Sequence, residues 1–554
     1  MSAECYPMTV LPHMTRLYGD YLGMGDAERA AVHGWYAVAP MSRDWMGRQV
    51  GVAHLDWLAD ALRRQSVEFG AGAAALENVE RLRRGARAVV TGQQVGLLGG
   101  PLLTLLKAAT AVARAKEATA ATGVEHVPMF WLASEDHDLA EVDQVSLPGK
   151  NAIETLRLGL RSAGSEVGGV VLGAEVERVL DEASELLVYA PVCDLLRECY
   201  TPEATLAGAF ARLMAKLFAG HGLVVMDAAG RDFHALGAKT LGLAIERADE
   251  LEAALLARTA ELEAAGYHAQ VLVKAGASLL FLVDEETGAR TALRRVGGSP
   301  THRTGRDEWG TEDFTELWKA GAKSYTTGEL LGILAEAPER LSPNALLRPV
   351  FQDTILPTAA YVGGPAEVAY FAQSAALYER LLGRVTPVLP RFSATLIEPA
   401  IAGVMAKHEV TLEDVFAAKT ADALAQRLGA RAMPIEGKRK LAAVGNAMDA
   451  ELTALTEYLG AMDASLGRSA TVSASKMRYQ MNRLRRMAAT FEVQKEASLK
   501  RHAEALMLAL FPDGHPQERV VGGVWFLGRC GEGLIDRLVV EAGEMCLGHS
   551  VVRV

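Results

Sequence analysis

Glu135-Asp136-His137-Asp138 puts three carboxylates and an imidazole at the end of an apolar run, Val127 to Ala133. An imidazole steadied by a carboxylate can take a proton from an amine or hydroxyl near neutral pH. His137 is therefore the expected base, with Glu135 or Asp138 orienting it and Asp136 beside the substrate. The same residue types ligate metals, which makes a metal-dependent hydrolase or transferase the rival chemistry. Successive residues on a strand point in opposite directions, so the four cannot share one ion. No His-Glu-x-x-His motif occurs, and no metal site is expected. Asp138 alone could also cap the next helix.

A second cluster precedes it: Thr91-Gly92-Gln93-Gln94-Val95-Gly96, then Gly99-Gly100-Pro101. Glycines admit close backbone approach, a following helix offers its positive end, and Lys107 lies about two turns inside that helix. Thr91, Gly92, Gln93, Gln94, Gly96, Gly100 and Lys107 are thus expected to cradle a phosphate or another part of the substrate. The plain alternative is a tight strand-to-helix turn. The pattern is neither G-x-G-x-x-G nor G-x-x-x-x-G-K-[ST]. A third group lies far along the chain. Gly363-Gly364-Pro365 repeats the layout at 99–101, with proline suited to the first helical position. Together with Asn344, Arg348 and Arg391 it could hold a carboxylate, for which the two-pronged guanidinium is well shaped. For any single arginine a salt bridge is the ordinary alternative.

These residues need a scaffold that gathers them. Ala88-Val89-Val90 is a short apolar run, and Leu102, Leu105, Leu106, Ala109, Val112 and Ala113 then keep helical spacing up to the second run at Val127. Strand, Gly-rich turn, helix and strand spell a βαβ unit of an open parallel sheet, whose ligands sit beyond the carboxyl ends of the strands. Leu223 to Met226 adds a buried strand with Asp227 at its exit. Asn151 to Leu172 reads as a short β insertion. Gln270–Val273 and Ser278–Val283 read as a hairpin, and Gly297-Gly298-Ser299-Pro300 as a turn. Leu441, Val444, Met448, Leu452, Leu455, Leu459, Met462 and Leu466 recur at steps of three and four. Ser469 to Ser475 interrupts them, and Met477, Met481, Leu484, Ala488 and Phe491 resume. That spacing predicts an antiparallel coiled-coil hairpin ended by Pro512–Pro516. Lys476, Arg478, Arg483, Arg485 and Arg486 read as its solvated face. The expected fold class is α/β: a Rossmann-like core over 1–401 with connecting insertions at about 146–210 and 265–340. A helical arm over 402–512 and a segment 513–554 rejoining the main sheet complete it.

A net charge of −11 over 554 residues argues against a general nucleic-acid binder. Cys5, Cys193, Cys199, Cys530 and Cys546 are few and odd in number, with no Cys-x-x-Cys, and read as free thiols of a reducing compartment. No basic segment leads into an apolar run near Met1, and Ala204–Met226 is interrupted by Arg212, Lys216 and His221. A signal peptide and a membrane span are therefore not expected, and the cytoplasm is the expected location. An apolar heptad face favours a homodimer.

The combination Val90-Thr91-Gly92-Gln93-Gln94-x-Gly96, Gly100-Pro101-Leu102, Phe130-Trp131-x-Ala133 through Asp138, Leu347-Arg348-Pro349 and Ala360 through Pro365 closely resembles the bacillithiol biosynthesis cysteine-adding enzyme family. The resemblance runs nearly end to end. It implies a Rossmann-like core similar to class I nucleotidyltransferases with a coiled-coil arm. It also implies the last step of bacillithiol synthesis, in which cysteine is joined to glucosaminyl-malate through an amide. Making an amide from a free acid is uphill, so the cysteine carboxylate needs activation, most simply by ATP or another nucleotide. The cofactor itself stays undetermined, because the chain lacks the His-x-Gly-His and lysine-loop signatures by which class I synthetases handle ATP. A non-catalytic nucleotide-binding scaffold with a coiled-coil arm is the remaining alternative.

Overall fold

The computed structural model describes residues 4–12, 14–23, 32, 34–161, 164–296, 317–531 and 533–554. The expected turn at Gly297–Pro300 lies outside them. Eight elements build the core: β1 (Arg87–Gln94), α1 (Leu103–Thr122), β2 (His126–Ala133), β3 (Val224–Asp227), α2 (Arg231–Glu246), β4 (Thr358–Gly363), α3 (Pro365–Leu382) and β5 (Val388–Pro390). The strands are buried on both faces along most of their length, which is why they read as unbroken apolar runs rather than alternating ones. They form one parallel sheet in the order β5-β4-β1-β2-β3. From β1 the chain steps outward to β2 and β3 on one side, while β4 and β5 lie on the other. The order therefore reverses between β1 and β4, where a parallel sheet opens a crevice for ligand.

Trp45, Val89, Ala111, Ala115, Ala360 and Leu389 share a core cluster that packs α1 onto the sheet. Alanine is abundant in α1 and buries little volume per residue, so the helix lies close to the strands. Gly123, at φ 70°, ends it in the left-handed conformation that a side chain would resist.

A second, antiparallel sheet supplies one wall of the crevice. Ala277–Val283 pairs with Arg290–Val296 on one side and Leu341–Pro343 on the other, and Leu317–Ala320 and Lys323–Thr326 extend it. This corrects the hairpin expected at Gln270–Val283. Gln270–Val273 forms no strand, because the Gln373 side chain satisfies both the N–H and the carbonyl of Val271. Of the β insertion expected at Asn151–Leu172, Ile153–Arg157 is a strand, and it pairs with Gln144–Pro148, which precedes that stretch.

The C-terminal segment does not rejoin the main sheet. His549–Arg553 lies between Glu4–Tyr6 and Ala394–Ile397 in a separate three-stranded sheet. Cys5 and Cys546 are disulfide-bonded beside it, contrary to the reading of all five cysteines as free; Cys193 and Cys199 are buried thiols.

Contacts divide the chain into two units. One comprises 1–147, 154–395 and 518–552; the other comprises 148–153, 396–517 and 553–554. In the second, helices Ile435–Met462 and Ala464–Lys495 form an antiparallel hairpin. Its bend falls at Asp463, whose carboxylate caps Ser465 and Leu466 at 2.8 and 3.0 Å. The Ser469–Ser475 stretch expected to break the pattern is inside the second helix. Small residues form part of the seam instead: a Cβ on Gly467 would stand 2.7 Å from the Gly460 Cα.

Candidate active site

At the crevice between β1 and β4 is a cavity of about 560 Å³. The carboxyl ends of the strands reach it in turn: Gly92, Gln93 and Gln94 from β1, Glu135, Asp136 and His137 beyond β2, Gly364 beyond β4 and Arg391 beyond β5. Lys107 on α1, with Asn344 and Arg348, completes the set that was expected and is found on its walls.

Inside the cavity the side chains are paired differently from the sequence expectation. Glu135 does not orient His137. Its Oε1 lies 2.7 Å from Nε2 of His234, a fully buried residue on α2. The carboxylate beside His137 belongs to Asp136, 3.6 Å from Nδ1 and accepting the His137 N–H at 2.8 Å. Asp138 is not on the cavity wall and makes no side-chain cap for the helix that follows it. Gln94 donates to Asp136 at 3.0 Å and to Glu141 at 2.9 Å. Burial pushes the Asp136 carboxyl up, but the Gln94 amide and the N–H groups of His137 and Asp138 prevail and hold it below the usual range.

The turn after β1 is not an anion cradle. The N–H of Gly96 bonds the Gln94 carbonyl, that of Gly99 bonds Gly96 O and the Tyr200 hydroxyl, and that of Gly100 bonds Leu97 O. Thr91 donates its hydroxyl to Val362 O at 2.9 Å, tying β1 to β4. Thr91, Gly96 and Gly100 are therefore structural, and Gly363 is also absent from the wall. Gly96 and Gly100 are required by close approach, since a Cβ on Gly96 would meet the Gly100 Cα at 3.0 Å. The start of α3 is likewise occupied, because Gly364 N–H bonds Glu367 Oε2 at 2.7 Å.

Lys107 spends all its protons within the protein, on Gly92 O at 2.7 Å, Gln93 Oε1 at 2.9 Å and Glu367 Oε2 at 2.5 Å. Burial works against the Glu367 charge, yet Lys107 and the Gly364 N–H keep its carboxyl below the ordinary value. Arg391 is 4 % exposed and grips Glu518 with both Nη atoms, so it is not an open carboxylate clamp. Arg348 donates to the Tyr370 hydroxyl at 2.9 Å and to Gln352 at 3.2 Å. Asn344 turns its oxygen back to the N–H groups of Leu346 and Leu347.

Several wall residues were not anticipated. Glu367 stands three residues after Gly364, the first-turn position where an acid bonds back to the helix start, and that spacing is a readable signal. Arg290 carried none: it comes from the antiparallel sheet, lies 3.7 Å over the Phe281 ring and bonds Ser342 and the Pro343 carbonyl. Arg519 is exposed, lines the cavity, and has no hydrogen bond or ion pair among the described residues. No group of three or more His, Cys, Asp or Glu able to hold a metal is present among the described residues.

A parallel-sheet α/β protein with a polar crevice at its topological switch point is the class that fold and cavity define. Two family models match: bacillithiol biosynthesis BshC, N-terminal Rossmann-like domain, over residues 7–392, and the C-terminal coiled-coil domain of the same family over 394–554. The cysteine ligase BshC of Koribacter versatilis is 42 % identical over the full length of both chains, and that of Solibacter usitatus 34 %, also over full length. That of Geobacillus kaustophilus is 29 % identical over 98 % of each chain. The chain belongs to the BshC family of bacillithiol biosynthesis, and this membership does not favour a metal-dependent hydrolase. No described helix is long and apolar enough to cross a membrane.

Proposed function

We propose that this chain is a carbon–nitrogen ligase that joins the carboxyl of L-cysteine to the amine of glucosaminyl-malate. The observation that carries this reading is that acids and arginines share the wall of one cavity. Glu135, Asp136 and Glu141 line it together with Arg290, Arg348 and Arg519. Cysteine carries an ammonium and a carboxylate at neutral pH; glucosaminyl-malate carries a sugar amine and two carboxylates. The acids suit the amino groups, and the arginines suit the carboxylates. Arg519, with no acceptor among the described residues, is the cation assigned to the malate moiety or to the phosphates of an activating nucleotide.

The attacking amine must lose a proton before it can reach the carbonyl carbon. Two groups at the strand-end cluster can accept it: His137, half-exposed beside Asp136, and Glu135, held from behind by His234. ATP is proposed to activate the cysteine carboxylate, and the arginines on the cavity wall fit its charge. The cytosol, where nucleotide and free cysteine are both at hand, is the proposed location. A homodimer through the helical hairpin is proposed because Val444, Leu455, Tyr458, Met462 and Phe491 stay exposed along it. Incubating the protein with cysteine, glucosaminyl-malate and ATP, and weighing the products by mass spectrometry, tests the reading. A mass equal to the two substrates less one water supports it. Unchanged substrates over many hours would refute it.

A further inference from the structure

Behind the cavity wall the acidic cluster continues into the protein. His234 is fully buried, with its ring 5.3 Å from that of Phe351. Its Nδ1 lies 3.0 Å from the Leu341 carbonyl oxygen, which can only accept, so Nδ1 carries a proton. Its Nε2 lies 2.7 Å from Glu135 Oε1, and that bond requires a second proton between them. The groups facing the pair are Glu166 and Asp227, both acidic, with Arg290 beside the carboxylates. Burial opposes a charge on the ring, but the Glu135 carboxylate, its hydrogen bond and then Glu166 prevail and favour placing the shared proton on the ring, as an imidazolium. Glu135 Oε1 is thereby fixed, while Oε2 has no hydrogen-bond partner among the described residues, and Glu135 lines the cavity.

Resting on the ligase reading, we propose that Glu135 accepts the proton of the attacking amine and that His234 is its positioning residue. An N–H bond of the substrate ammonium breaks and leaves its electron pair on nitrogen; the proton forms an O–H bond at Glu135 Oε2 and afterwards returns to solvent through the cavity. The step needs no further reactant. The freed amine is then the nucleophile. Glu135 suits the role better than His137 because it is held before substrate arrives. Its side chain is 10 % exposed and bonded to a buried ring, whereas the His137 side chain is 50 % exposed. Next to the pair, one Glu166 oxygen is buried with no hydrogen-bond partner among the described residues, and burial, then Glu135, pushes its carboxyl up to about 7.

The test uses the full chain and the variants Glu135→Gln, His234→Gln and His137→Ala, with two readouts. Nitrogen NMR of labelled histidines should find His234, assigned by its loss in His234→Gln, doubly protonated at pH 7. It should become singly protonated in Glu135→Gln and stay unchanged in His137→Ala. In the ligation assay, kcat should fall by about 100-fold or more in Glu135→Gln and about tenfold or more in His234→Gln, a typical range for a lost base. KM should hold within about threefold, and the acid limb of the pH profile should move in His234→Gln but not in His137→Ala. A neutral His234 indifferent to Glu135→Gln, or an unmoved limb in His234→Gln, would overturn the proposal. If wild type forms no amide while the imidazolium is observed, the ligase reading fails and the proton-holding pair stands without the amine as its partner.

Discussion

At the scale of single residues, the cavity is governed by which charges are already spent. Lys107 and Arg391 looked like ligand clamps because sequence shows the cation and not its partner. The partners, Glu367 and Glu518, lie 260 and 127 residues away and meet them only through the fold. Glu166 shows the opposite case, an acid with one oxygen buried and no hydrogen-bond partner for it among the described residues. Its folded-state pKa of about 7 is above the ordinary value, so the fold favours the protonated form. The cost is absent below about pH 4.5, grows as pH rises through the interval, and is complete above about pH 7. Glu166→Gln, which cannot ionise, should therefore gain about 2–3 kcal/mol over wild type at pH 8 relative to pH 5, as measured by urea unfolding. An equal difference at both pH values would contradict this.

At the scale of elements, α1 and α3 are tied at the cavity floor by the Lys107–Glu367 pair. Removing one partner of a buried pair leaves an uncompensated charge, so Lys107→Met should cost about 3–5 kcal/mol. Adding Glu367→Gln should recover much of that loss, and a double-mutant cycle by urea unfolding measures the coupling. Strict additivity would show that the pair does not act as a unit. The βαβ grammar was legible because its signals are local: apolar runs of strand length, a Gly-rich turn, and an Ala/Leu helix over 103–122. The position of Gln93, Gln94 and Glu135–His137 at one sheet edge followed from that grammar. The antiparallel sheet bearing Arg290 was illegible, since Ala277–Val283 finds its partners at 290–296 and 341–343 rather than next door. The hairpin bend was misplaced for a related reason. Glycine and serine signal a break when read locally, but they also let two helices approach.

At the scale of the whole molecule, the residues that meet in the cavity span Gly92 to Arg519, and one parallel sheet reversal gathers most of them. The Cys5–Cys546 disulfide joins segments 541 residues apart within the unit that holds the cavity, a long-range link that cysteine spacing could not disclose. The proposed chemistry is one bond made in that cavity, between a cysteine carbonyl carbon and a sugar nitrogen. Supplying carbonyl-13C cysteine with amine-15N glucosaminyl-malate and ATP reads that bond directly. The carbonyl resonance of the product should split through coupling to the attached 15N and lose the splitting when unlabelled amine is used. A product whose 13C carbonyl remains a single line, as in a thioester or an oxygen ester, would contradict the assignment.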